Sequence, residues 1–114
     1  MISLSHVSAR PDPIAVGPIV MTMTIENWIN KDPELFNQIH ENLLKYLGGD
    51  WGEIDSEDWP LNVATIKRET PHGRLMGSYS LSNGETMWII TDGYGRQDEG
   101  PDCCYTTILC PDDY

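Results

Sequence analysis

The spacing of apolar positions changes along the chain, and each change predicts a different kind of element. Between residues 34 and 47 apolar side chains recur at intervals of three and four, which is typical of a helix with one buried face. Asp32 and Pro33 precede this run as a suitable N-cap and first helical residue, and Gly48 and Gly49 follow it as a stop signal. The pattern therefore predicts an amphipathic helix that ends at the two glycines.

Alternating apolar and polar positions characterise the second half of the chain. The segments RLMGSYSL and TMWIITDGY have a period of two and are separated by SNGE, so they predict a β-hairpin. The pair Asn83 and Gly84 suits a two-residue type I′ turn at its tip. After the polar connector GRQDEGPDC, the segment CYTTILC predicts a last strand that stops at Pro111.

The remaining elements have weaker patterns. Residues 14–25 combine β-branched side chains with partial alternation, which predicts a first strand. Thr24 is a suitable cap for a short helix over IENWIN. A third helix should follow a cap at Ser56 or Asp58 and end by Thr70, because proline and glycine come next.

This order of elements predicts an α+β fold, in which an antiparallel sheet of three to four strands carries two to three helices packed on one face. Residues 1–13 are polar, contain two prolines and lack a hydrophobic period, so we expect a flexible N-terminal arm. Residues 14–114 should form a single α+β domain, which is the size that 114 residues support.

The charge balance changes the expected partner. The formal net charge is -11, and the seven lysines and arginines are spread along the chain. No basic patch is available to neutralise phosphates, so we expect no direct binding to nucleic acid or to an anionic membrane. A dense negative surface instead attracts basic proteins, including those that bind nucleic acid. In a second interpretation, the charge only keeps a small protein soluble.

The cysteines and the apolar runs indicate the compartment. Cys103, Cys104 and Cys110 form an odd set with an adjacent pair, which is a poor disulfide framework. No apolar run approaches transmembrane length, and the start of the chain lacks the apolar region of a signal peptide. We therefore expect a soluble cytoplasmic protein, with Cys110 in the core.

The stretch GGDWGEIDSEDWPLN, residues 48–62, concentrates the candidate chemistry. It holds five carboxylates: Asp50, Glu53, Asp55, Glu57 and Asp58. They lack the register of a calcium loop, and their solvated setting does not suit the protonated acid of a glycosidase pair. The cysteines do not predict a closed zinc shell, and no nucleophile motif or phosphate-binding glycine loop is present. We therefore expect no metal site and no cofactor.

Several short motifs, taken together, resemble a known family. In chain order they are GDWG, Asp58, Asn62, GR, Tyr79, WIIT, Arg96, TTIL and PDDY. This combination is similar to small acidic proteins described as plasmid-related, and it covers roughly residues 19–114. The family has no established activity, and its members accompany plasmids, phages and integrative elements. The resemblance implies a protein of a mobile element in a bacterial host.

The chain departs from the family pattern at three places. Tyr46 stands where a histidine is common, Asp92 replaces a glutamate, and the connector before the last strand is longer than usual. Any function that relied on the histidine would be lost here. The longer connector would be a specificity element of this chain.

Three hypotheses follow. The first is a binding protein that inhibits a host defence system, either anti-CRISPR or anti-restriction, by occupying a basic nucleic-acid-binding surface. Such small acidic inhibitors are what the resemblance to mobile-element proteins implies. Its partner-binding residues would be Asp50, Trp51, Glu53, Asp55, Glu57, Asp58, Tyr94, Asp98, Glu99, Asp102, Asp112 and Asp113. Trp51 is either an interface anchor or a core residue.

The second hypothesis is an enzyme of unknown reaction whose site combines polar side chains of mixed type. That site would consist of Asp50, Asp58, Asn62, Arg74 and Arg96. The third is a structural or adaptor protein without a catalytic site. In that case Asp50 ties its loop, and Asn62 and Arg74 satisfy buried backbone groups.

Overall fold

The computed structural model describes residues 16–67, 73–94 and 104–114. The elements in chain order are β1 (Ile19–Met21), α1 (Met23–Lys31), α2 (Glu34–Leu47), α3 (Asp58–Ile66), β2 (Leu75–Ser80), β3 (Thr86–Asp92) and β4 (Tyr105–Leu109), followed by a 3₁₀ turn at Pro111–Asp113. The predicted N-terminal arm and the connector over 95–103 lie outside the described residues.

The four strands form one sheet in the order β1-β4-β3-β2. The β2–β3 and β3–β4 pairs are antiparallel, whereas β1 pairs with β4 in parallel. The predicted α+β class is confirmed, with a sheet that is mostly antiparallel. The parallel pair arises because β1 and β4 are joined through the rest of the domain, so no hairpin constrains their relative direction.

One face of the sheet supports the hydrophobic core. Its buried positions alternate along the strands: Leu75, Gly77 and Tyr79 in β2, Met87, Ile89 and Thr91 in β3, and Thr106 and Ile108 in β4. The helices contribute Ile25 from α1 and Leu35, Ile39 and Leu47 from α2. Phe36, although it belongs to the same apolar run of α2, is 51 % exposed.

The N-terminal segment differs from its prediction. The extended part within the described residues is only Ile19–Met21, and α1 begins at Met23 with Thr22 at the cap position. Thr24 is therefore inside the helix and is not its cap. The hydroxyls of Thr22 and Thr24 both donate to the carboxylate of Asp113, at 2.7 and 2.8 Å, which holds the start of α1 against the C-terminus.

The starts of α2 and α3 also differ in detail from their predictions. Pro33 occupies the cap position of α2, but the Asp32 carboxylate accepts the N–H of Glu34 at 3.2 Å, as an N-terminal capping residue does. For α3, the caps predicted at Ser56 and Asp58 are wrong. Glu57 takes the cap position with helical backbone angles and no side-chain cap, because a turn already leads into the helix.

The hairpin is confirmed, but its turn is not of the predicted type. Leu81 N–H donates to the Glu85 carbonyl, and Gly84 N–H donates to the Leu81 carbonyl. The loop therefore contains three residues, with Gly84 at a φ of 84°. This is the common arrangement of a type I turn followed by a left-handed residue, which also preserves the strand twist.

The last strand ends before Pro111 as predicted. Cys104 and Cys110 are both buried, so the expected core position of Cys110 is confirmed. Within the described residues, no helix has the length and apolar character needed to cross a membrane.

Candidate functional site

The acidic loop, defined as residues 48–58, connects α2 to α3 and is fastened at its start. Asp50 N–H donates to the carbonyl of Lys45 at 2.8 Å, which closes the end of α2. The next residue, Trp51, is 3 % exposed and lies in the core. Its ring meets Trp59 edge to face, with centroids 4.9 Å apart. Trp51 is therefore a core residue, and its prediction as a partner-binding anchor is wrong.

The middle of the acidic loop docks on the outer edge of β2. Ser78 N–H donates to the Trp51 carbonyl at 3.1 Å, and Glu53 N–H donates to the Ser78 carbonyl at 2.7 Å. Gly52 permits this approach because its φ is 71° and a Cβ there would collide with the Ser78 carbonyl. The Tyr79 hydroxyl adds a hydrogen bond to the Asp50 carbonyl at 2.8 Å.

Helix α3 covers the rest of the same strand edge. The carboxamide of Asn62 donates to the Met76 carbonyl at 2.8 Å and accepts the Met76 N–H at 3.1 Å. The Thr65 hydroxyl donates to the Arg74 carbonyl at 2.9 Å. Both α3 residues are buried although they are polar. The edge strand is thereby protected against pairing with another chain.

The carboxylates of the acidic loop fall into two groups. Asp50 accepts the Gly52 N–H at 3.1 Å, and Glu53 accepts the Ser80 hydroxyl at 2.7 Å. Asp55 and Glu57 are exposed, and no described side chain binds them. No lysine or arginine of the described residues pairs with these carboxylates, since the ion pair found there joins Arg74 and Asp92.

The predicted second acidic patch is only partly described. Asp98, Glu99 and Asp102 lie outside the described residues, whereas Asp112 is exposed. The Asp113 carboxylate accepts hydrogen bonds from Thr22, Thr24 and the Cys110 N–H, which lower its pKa. Its oxygens are thus already occupied within the molecule, so Asp113 is a structural clamp.

Tyr94, the other predicted aromatic anchor, is partly buried and packs against the core. Its backbone N–H also donates to the Gly73 carbonyl at 2.8 Å. Only part of the Tyr94 ring is therefore accessible at the surface.

A groove of about 630 Å³ lies between α3 and the strands β2 and β3. Its lining consists of Asp58, Leu61, Asn62, Thr65, Arg74, Met76 and Asp92. The residues of the enzyme hypothesis are thus partly brought together, since Asp58, Asn62 and Arg74 meet here. Asp50 is not part of this lining, and Arg96 lies outside the described residues.

The polar groups of the groove are already engaged to different degrees. Arg74 Nε donates to Asp92 at 3.0 Å, and Arg74 Nη1 donates to the Tyr114 hydroxyl at 2.6 Å. These hydrogen bonds, with Tyr114 first and Asp92 second, raise the pKa of Arg74. The Asn62 carboxamide is hydrogen-bonded to the backbone of β2. The Asp58 carboxylate, in contrast, has no partner among the described side chains.

A buried chain of hydroxyl groups passes through the core and was not predicted. Tyr46 donates to Thr91 at 2.7 Å, Thr91 and Thr106 share a hydrogen bond of 2.6 Å, and Thr106 donates to the Val16 carbonyl at 2.8 Å. Burial raises the pKa of Tyr46. Threonines at core-facing strand positions were the signal for this network. Position 46 is thus a core position, remote from solvent.

The comparisons with known proteins leave the family open. No protein-family model, curated protein or solved structure matches the chain. Among the described residues, no group of three or more histidine, cysteine or acidic side chains could hold a metal ion. In the part of the chain that the structure describes, the acidic loop and the adjacent groove make up the candidate site.

Proposed function

We propose that this protein is a non-enzymatic binding protein that inhibits a host defence system by occupying a basic nucleic-acid-binding surface. The acidic loop would replace the phosphates of the nucleic acid. The charge argues for a basic partner. The choice of an anti-CRISPR or anti-restriction role comes from the resemblance to small acidic proteins of mobile elements.

One observation carries this proposal. Asp50, Glu53, Asp55 and Glu57 are exposed and form no ion pair with a described cation. Their loop is hydrogen-bonded to β2 through residues 51 and 53, and a turn bond from the Asp58 N–H to the Asp55 carbonyl closes its second half. The loop is bonded to β2 on one side and held by buried Trp51 on the other. A fixed loop loses little conformational entropy on binding, so its carboxylates are preorganised for lysine and arginine side chains.

An enzyme is the second candidate, since the groove brings Asp58, Asn62 and Arg74 together. The hydrogen bonds of Asn62 and Arg74 weigh against it, because both side chains already satisfy internal partners. The bonds of Asn62 to the Met76 backbone favour the structural hypothesis for this residue, whereas Arg74 binds two side-chain groups and no backbone group of a described residue. These bonds leave the exposed carboxylates of the acidic loop unexplained.

The test measures binding to purified, nucleic-acid-free CRISPR effector and restriction complexes. The double variant Asp55→Asn/Glu57→Gln removes two carboxylates that no described group uses. The matched control Glu26→Gln/Glu41→Gln removes the same charge from exposed positions on α1 and α2. We expect the loop variant to bind about tenfold more weakly and the control to bind like wild type.

Salt and competition complete this test. Binding by wild type should weaken steeply as salt rises. In a separate competition experiment, wild type should displace DNA or RNA from complexes that were first loaded with it. Equal binding by the loop variant and wild type would overturn the proposal. So would a bound complex that retains its nucleic acid.

A further inference from the structure

The groove beside the acidic loop has an apolar wall that the core does not use. Leu61, on the solvent side of α3, is 57 % exposed, and partly buried Met76 faces the same groove. A concave groove lined by apolar side chains together with a few polar groups is the general form of a binding site. This wall is continuous with the acidic loop, because Asp58 ends the loop and also lines the groove.

The charges of the groove favour a cationic occupant. Its lining contains two carboxylates, Asp58 and Asp92, and one guanidinium, Arg74. Arg74 is paired with Asp92, which leaves the Asp58 carboxylate without a described partner. A positively charged group can therefore bind at Asp58 without breaking an existing ion pair.

Arg74 offers a further contact that suits a polypeptide. Its Nε and Nη1 atoms donate to Asp92 and Tyr114, while Nη2 makes no hydrogen bond to a described residue. Its side chain is 49 % exposed, so Nη2 can donate to a carbonyl oxygen from outside. A peptide supplies such a carbonyl beside each side chain, whereas a simple amine does not.

We propose that this groove receives an arginine or lysine side chain of the protein partner. The aliphatic stem packs on Leu61 and Met76, the charged head binds Asp58, and a backbone carbonyl of the same segment accepts from Arg74. Arginine and lysine suit the groove because each combines an apolar stem with a cationic tip. This inference rests on the proposed function and adds a specific pocket to the acidic loop.

The first experiment maps binding by amide NMR shifts on the full chain. Three probes are compared: a blocked peptide of alternating arginine and leucine, an equally charged peptide of arginine and serine, and agmatine as a free cation. We expect both arginine peptides to shift the amides of Asp58, Leu61 and Met76, and to bind more tightly than agmatine, because each supplies the arginine stem, its charged head and a backbone carbonyl. Agmatine binding as tightly as the peptides would overturn the assignment to a protein side chain.

The second experiment separates the groove from the loop. Leu61→Gln should weaken binding of the arginine–leucine peptide about tenfold, because the apolar contact is lost. Val20→Gln is its matched control, since Val20 is 56 % exposed on β1, at the opposite edge of the sheet. Asp58→Asn should weaken peptide binding more than Asp55→Asn, which makes the same charge change in the loop.

The two proposals fail in different ways. If Leu61→Gln and Asp58→Asn bind the peptide like wild type while Asp55→Asn/Glu57→Gln binds the defence complex weakly, the groove assignment is wrong and the loop function stands. If the groove variants lose peptide binding while the loop variant binds the complex normally, the loop function is wrong. All these substitutions are at exposed or partly exposed positions, and melting temperatures verify folding.

Discussion

The carboxamide of Asn62 takes the place of a neighbouring strand at the outer edge of β2. It donates to one backbone group of Met76 and accepts from the other. Asn62 thus has an identifiable structural role, as does Tyr79 in the loop, where its hydroxyl binds the Asp50 carbonyl. At this scale, single side chains close the edge of the sheet.

Asn62→Ala tests this role. The substitution leaves the N–H and the carbonyl of Met76 without partners, and an unsatisfied buried group costs about 1–3 kcal/mol. We therefore expect urea unfolding to give a free energy of unfolding that is about 1–3 kcal/mol lower than that of wild type. Asn62→Asp should also destabilise, because the carboxylate accepts from the N–H but repels the carbonyl. A variant as stable as wild type would show that Asn62 does not support the strand, and would return it to the enzyme hypothesis.

Asp113 gives the fold a pH dependence. Its pKa is lowered by hydrogen bonds from Thr22, Thr24 and the Cys110 N–H. A carboxyl with a lowered pKa stabilises the fold above its ordinary pKa, and this contribution is lost as the pH falls through the lowered value. Asp113→Asn should therefore melt below wild type at neutral pH, and the difference should shrink below about pH 4. A melting difference that is constant with pH would contradict the clamp.

Among the helices and strands, the sequence best predicted the elements whose hydrophobic period and end residues lie within the segment itself. Helix α2 and the hairpin follow from periodicity and from the residues at their ends. Helix α3 was predicted as an element that ends by Thr70, but its buried face was not, because Asn62 and Thr65 are buried while Leu61 is 57 % exposed. Their burial depends on the backbone of β2, which is distant in sequence, so no local period could predict it. The acidic loop was predicted as a segment, whereas the engaged carboxylates could be identified only from the structure.

Gly52→Ala tests how the acidic loop is joined to β2. Gly52 and Gly84 both have a positive φ, at 71° and 84°. A Cβ at Gly52 would meet the Ser78 carbonyl and the Tyr79 ring, whereas a Cβ at Gly84 meets nothing within 4 Å. Gly84→Ala should therefore cost only the backbone strain of about 1–2 kcal/mol.

Gly52→Ala should cost clearly more than Gly84→Ala, and it should speed hydrogen exchange at the Ser78 and Glu53 amides. Urea unfolding and amide exchange measure the two effects. Equal destabilisation by the two substitutions would mean that the loop can shift away from β2 without loss. The loop would then not be a fixed frame for its carboxylates.

At the scale of the whole molecule, negative charge is in excess on a small fold. The chain has 18 acidic and 7 lysine or arginine residues. Such an excess lowers the stability of the compact state through repulsion, although it keeps the protein soluble and attracts basic partners. Whether the charge serves only solubility or also binding, it destabilises the folded state through the same repulsion. The two interpretations differ in whether particular carboxylates contact a partner.

Salt should raise the melting temperature by several degrees. Between about 0.01 M and about 1 M sodium chloride the Debye length falls from about 30 to about 3 Å, so repulsion between exposed carboxylates is screened. A variant that neutralises Asp55, Glu57, Glu26 and Glu41 should melt higher than wild type at low salt and gain less from added salt. The smaller gain separates charge screening from a general effect of salt on apolar burial, which would raise the melting temperatures of both proteins equally.

A melting temperature that falls with salt would mean that attractive pairs such as Arg74–Asp92 outweigh the repulsion. The proposed binding, in contrast, should weaken over the same range, because the carboxylates that repel one another in the free protein would be the ones that attract a basic partner.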